Sequence, residues 1–234
     1  MAQTRGALTR RRVLHAAAVE LAHHGYTGTS LARIASQAGV TLGALTFHFS
    51  TKPELAQGVY EDGAASTRTA IDHALARSEL PLQNVIDITH EMARLLRADP
   101  TVQAASRLSR EVACMGYSWH QLWLGDIKRL ADEAHTRGDL GERCSAGLLC
   151  YLVVCMLARL DSPLVHASSS VCEDLEVLSQ LWWLALGSVA APCSPALLPG
   201  GSPGQGEGRA GSPCRPASIH RDGGSGGERG PVGA

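Results

Sequence analysis

No CxxC pair and no HxxxH spacing occurs in this chain of 234 residues. These absences remove the common ligand sets of structural and catalytic zinc. No coupled carboxylate pair sits in a recognisable loop either, so neither a catalytic residue, a metal nor a cofactor is expected. The seven cysteines are odd in number, and five lie in apolar helical stretches where a thiol packs as a small hydrophobe. That usage fits a reducing compartment without a disulfide framework. The N-terminus is basic but has no apolar core of a signal peptide. The uncharged apolar run Cys144–Ala158 has 15 residues, too few to span a bilayer comfortably. A cytoplasmic protein with no membrane partner is the expectation.

Alternating strand patterns are nearly absent as well, which leaves an all-α fold. Leu14, Ala17, Ala18, Leu21 and Ala22 keep helical spacing up to Gly25. Ser30 can cap a second helix over 31–37, Gly39 breaks it, and Thr41 can cap a third over 42–47. Pro53 suits the first turn of a long fourth helix reaching about Ser78. Further helices are expected over 81–97, 100–112, 116–137, 142–161 and 170–190. From Pro192 onward Gly, Pro, Ser and Arg dominate and no apolar face survives, so 192–234 reads as a disordered tail. Its Gly-rich stretch Gly223–Gly230 has no strand before it or helix after it, and is not a phosphate loop.

Charge is unevenly divided. Residues 1–52 carry six basic side chains against Glu20, hence +5, leaving −6 for the remainder of a chain whose net charge is −1. A basic head on an acidic body suits a polyanion partner for the head, although a basic arm can also serve solubility alone. Three short helices with a glycine turn between the second and third make a helix-turn-helix layout. In it the third helix enters a major groove and the second holds it there. Ala35, Ala38, Val40 and Leu45 would lock the two together. Thr41, Leu42, Gly43 and Ala44 would face base edges, and the helix N-termini at Ser30 and Thr41 could take phosphate oxygens.

The stretch GYTGTSLARIASQAGVTLGALTFHFSTKPELAQGV, Gly25–Val59, resembles the signature of the TetR family of one-component repressors. The resemblance implies a DNA-binding head over 1–52 and a helical ligand-binding, dimerising body over 53–191. It implies DNA contacts from Thr29, Ser30, Thr41, Leu42, Gly43, Ala44, Thr46, Phe47, His48 and Lys52, with Lys52 on a phosphate. His48 is open to a second reading as a packed spacer. Leu42 stands where relatives usually have Lys or Arg, and Thr46 where they usually have Tyr, which implies fewer charged base contacts. GALTFHF (Gly43–Phe49), RLS (Arg107–Ser109) and Trp123, 17 residues before Leu140, are similar to the γ-butyrolactone receptor and pseudo-receptor branch.

That branch implies a small-molecule effector of γ-butyrolactone, butenolide or furan type. A pseudo-receptor sensing an antibiotic, and a non-regulatory ligand-binding helical protein, are the alternatives. Trp119 and Trp123 share a helix face and could wall such a ligand, or serve as core aromatics. Arg107 could meet a ligand carbonyl or pair with Glu111. A homodimer through about 142–191 is expected, with Trp182 and Trp183 as dimer or core residues.

Overall fold

A computed structural model describes residues 2–112, 116–160 and 170–203. Among them nine helices occur: α1 (Ala2–Gly28), α2 (Leu31–Ala38), α3 (Leu42–His48), α4 (Lys52–Leu75), α5 (Pro81–Ala98), α6 (Pro100–Glu111), α7 (Gln121–Arg137), α8 (Ala146–Leu160) and α9 (Val171–Val189). No strand is described, only an isolated antiparallel bridge between Leu140 and Ala190. The all-α expectation holds. No described helix is long and apolar enough to cross a membrane.

Local chemistry sets most helix ends. The Ser30 hydroxyl accepts from the Arg33 amide, Thr41 from Ala44 and Thr51 from Glu54. Each satisfies an N-terminal amide that would otherwise lack a partner. Pro53, Pro81 and Pro100 occupy first turns, where a missing N–H costs nothing. Gly39 and Gly138 end α2 and α7 in the left-handed conformation.

Two elements begin later than expected. α7 starts at Gln121 rather than Gly116, because 116–120 turn around a positive-φ Gly116 and tuck Tyr117 and Trp119 inward. α8 starts at Ala146 rather than 142, because Gly141 and Cys144 form a turn beside the Leu140–Ala190 bridge. At the other end of the chain, Gly25 does not stop α1: the helix resumes to Gly28 across a kink at that residue.

Two apolar clusters result. One holds the head, with Val13, Ala17, Leu21, Ile34, Leu45, Phe49 and Leu55 buried. The other fills the body around α5, every residue of which from Pro81 to His90 is buried. α5 packs against α4, α6, α7, α8 and α9.

Residues 192–203 are not the featureless start of a tail. Leu197 packs on the body cluster, and Leu198 and Ser202 hydrogen-bond to α5. Residues 204–234, with the Gly223–Gly230 stretch, lie outside the described residues.

Candidate nucleic-acid interface and effector site

α3 is a seven-residue helix with two unlike sides. Leu45 and the capping residue Phe49 are buried and anchor it to α1 and α4. Thr41, Leu42, Gly43 and Phe47 face outward, Phe47 85% exposed and Leu42 49%.

Around Gly43 there is open space, which leaves the N-terminal turn of α3 bare enough for close approach. Ala44, Thr46 and His48 are half-buried, and the Thr46 hydroxyl donates to the Gly43 carbonyl at 3.2 Å. The His48 ring lies edge-on to Phe47, its centroid 5.3 Å away. The Lys52 ammonium sits 4.5 Å from the centre of the Tyr26 ring, a cation–π contact that fixes its stem.

Two residues expected at binding surfaces are structural. Thr29 is 3% exposed; its hydroxyl donates to the Gly25 carbonyl at 2.8 Å and closes the end of α1. It presents nothing to DNA. Arg107 takes the pairing with Glu111 that its helical spacing allowed. Its Nε donates to Glu111 Oε1 at 2.6 Å and its guanidinium to the Ala22 carbonyl at 2.9 Å, while Glu111 accepts the Tyr26 amide at 2.7 Å. This clamp of α6 grips the kink of α1. Gly25 has φ +72°, and a Cβ there would lie 2.5 Å from both Glu111 oxygens. Tyr26 thereby joins α1, α6 and, through Lys52, the start of α4.

Some basic residues of the head had no assigned role from sequence. Arg11, Arg12, His15 and Gln37 line a cleft of about 570 Å³ between α1 and α2, with Leu8 and Val19. Arg12 donates to the C-terminal carbonyl of Ala38, and Arg33 pairs with Glu20 at 3.1 Å. Their clustering follows from helical spacing along α1, which charge counting registers only as a sum.

In the body, Trp119 and Trp123 meet edge to face, ring centres 5.8 Å apart, both fully buried. The Trp119 indole N–H donates to Thr67 at 3.0 Å, so only its ring is free for contact. The Trp123 indole N–H has no hydrogen-bond partner among the described residues, nor has the buried Tyr117 hydroxyl. A buried donor without an acceptor costs about 1–3 kcal/mol, so an acceptor brought by a bound molecule would relieve it.

His120 touches both indole rings, and burial holds its pKa below the ordinary value near 6.5. Burial does the same to His90 on α5. Depressed histidine values mean that unfolding takes up protons. The stability is complete above about 6.5 and is lost as pH falls from there through the lower folded values. The melting temperature should drop between pH 7.5 and 5.5, and less in a His90→Gln, His120→Gln double variant. An equal drop in both chains contradicts this assignment.

A short exposed helix seated by a glycine turn on a second helix, ahead of an all-helical body, defines a helix-turn-helix regulator. The chain belongs to the TetR family. Residues 13–59 match the family described as bacterial regulatory proteins, tetR family. TylP, a TetR regulator from Streptomyces fradiae, is 31% identical with a TM-score of 0.60, the match covering 80% of this chain and 89% of that one. The A-factor receptor protein of Streptomyces griseus is 26% identical over 193 residues, which cover 81% of this chain and 67% of that protein. A γ-butyrolactone receptor described as ArpA-like shares the fold, with 23% identity, a TM-score of 0.66 and coverage of 81% and 91%.

Proposed function

We propose that the chain is a ligand-responsive transcriptional repressor that binds a near-palindromic operator as a dimer and leaves it when a small signal enters the body. The observation that carries the DNA side is the outward face of α3. Thr41, Leu42, Gly43 and Phe47 stand free of the protein on a helix whose other side is locked by Leu45 and Phe49. Ser30, Ala44, Thr46, His48 and Lys52 complete the surface. Two such heads, held about 34–36 Å apart or a compatible multiple, would read successive major grooves. Leu42 suits a thymine methyl rather than guanine.

The effector is an uncharged acceptor of the γ-butyrolactone, butenolide or furan type. The unpartnered Trp123 N–H supports this reading, as do the receptors among the relatives. Trp119 offers it a ring wall. Coupling would run through α6, whose Arg107–Glu111 clamp holds the α1 kink, and through α4, which begins at Lys52. The effector acts by its differential affinity for the two states, so operator DNA must weaken effector binding by the same factor.

A mobility-shift assay on the chain's own promoter region tests the first half, and no shift at low salt would sink it. Lys52→Ala should weaken binding to every sequence alike and lower the slope of log affinity against log salt by about one. An unchanged slope would assign Lys52 to its Tyr26 contact alone. Adding γ-butyrolactones, butenolides and antibiotics in turn to the DNA complex separates a receptor from a pseudo-receptor.

A further inference from the structure

α5 carries three buried polar side chains on one face, Gln83, Asp87 and His90, exposed by only 3%, 0% and 2%. Their spacing puts them in successive turns. Burying such groups is costly unless partners are supplied. Half of their six hydrogen bonds are made not to a helix but to the backbone of the segment after α9. The Gln83 carboxamide pairs with both main-chain groups of Leu198: its Oε1 accepts the Leu198 amide at 2.7 Å, and its Nε2 donates to the Leu198 carbonyl at 3.2 Å. Asp87 Oδ1 accepts the Ser202 amide at 2.7 Å and the Gln83 Nε2 at 2.8 Å. Its other oxygen is buried without a partner among the described residues.

Between these contacts the chain turns, the Gly201 amide donating to the Leu198 carbonyl at 3.0 Å. Pro199 stands second in this turn and Gly201, at φ +79°, stands last, positions that favour those residues. The Gly201 backbone lies against the His90 ring, where an added Cβ would be 3.4 Å from Cγ. His90 in turn bonds the Ile86 carbonyl at 2.9 Å and reaches α9 through the Ser179 hydroxyl at 3.1 Å. Leu197 packs on the body cluster just before the turn.

We propose that this face of α5 is a peptide-binding recess and that residues 197–202 are its ligand, a latch docked in cis. The recess reads main chain more than sequence. It requires free amides at two positions four residues apart, a turn closed by a left-handed glycine, and an apolar residue ahead of it. Upstream, the latch is anchored where Ala191 donates to the Asp139 carbonyl and Gly141 to that of Val189. The docked segment therefore belts the ends of α7 and α9 to α5. Because α5 is the helix all the others in the body touch, its release loosens the centre of the body rather than an edge.

Hydrogen exchange on the full-length chain tests this. The Leu198 and Ser202 amides should be protected at least about tenfold relative to the amide of the exposed residue Ala196. Ser202→Pro removes one donated amide without touching α5. It should abolish Leu198 protection and raise exchange over 83–90 about tenfold, whereas Ala196→Ser should do neither. A synthetic peptide of residues 195–203 added to the Ser202→Pro chain should restore the protection of α5, and the same peptide with proline at 202 should not. Unprotected Leu198 and Ser202 amides in the unaltered chain would overturn the docking. Exchange over 83–90 within twofold of the unaltered chain in Ser202→Pro would overturn the coupling. Failure of the peptide to restore protection would overturn the recess as a binding site.

Discussion

Gly63→Ala should cost about 2–3 kcal/mol, and so lower the melting temperature by roughly 5–10 °C in a body of this size. Gly63 is buried where α4 crosses α6. A Cβ there would overlap the Thr101 carbonyl oxygen and lie 2.8 Å from Ala105 Cβ. The carbonyl belongs to the backbone of the first turn of α6 and cannot swing aside as a side chain would. The helices must separate, and with them Thr67, whose hydroxyl donates to the Gly63 carbonyl and accepts the Trp119 indole. Gly43→Ala is the matched control: nothing lies within 4 Å of its added methyl, and alanine is favoured over glycine in a helix by no more than about 1 kcal/mol. Thermal melts of the two variants should move in opposite directions. Equal shifts would mean that α4 and α6 do not meet at Gly63.

Leu184→Arg should leave the fold intact and abolish self-association. α9 is apolar on two sides. Leu178 and Trp182 point into the body, and the Trp182 indole donates to Thr89 at 2.8 Å. The other side leaves Val177, Trp183 and Leu184 exposed, and α8 leaves Leu148 and Tyr151 exposed. Large apolar side chains left in water in this number suit the proposed dimer interface. A guanidinium placed there meets water in the monomer but an apolar partner in the proposed dimer, at a cost of several kcal/mol. Sedimentation should report a monomer with unchanged helical content. Operator affinity should fall about 100-fold, because the second head is no longer delivered with the first. A variant that sediments as the parent does would move the dimer interface elsewhere.

What could be read from the sequence was what is decided within a few residues. The caps at Ser30 and Thr41, the stop at Gly39 and the prolines at first turns are local, and each set its helix end as expected. The resemblance over Gly25–Val59 placed the reading helix. The rest depends on how the chain folds back on itself. Thr29 looks like a surface hydroxyl until the Gly25 carbonyl is folded back onto it. Arg107 could meet a ligand on paper, and only the approach of α1, 85 residues away, shows where its hydrogen bonds go. The Glu111 half of its pairing was readable at helical spacing; the grip on Ala22 was not. Residues 197–202 have the composition of a linker, because a segment bound through its main chain needs no apolar periodicity.

The adjacent pair on α9 has an optical consequence. Of the four tryptophans, Trp119, Trp123 and Trp182 are fully buried while Trp183 is 70% exposed. Aqueous iodide should therefore quench one indole in four, and the red edge of the emission should come from that one alone. If α9 is the meeting surface, dilution will change the quenchable fraction while leaving the blue-edge emission still. An effector beside Trp123 will do the reverse. Assembly and ligand occupancy are thus written at different wavelengths of the same unlabelled chain.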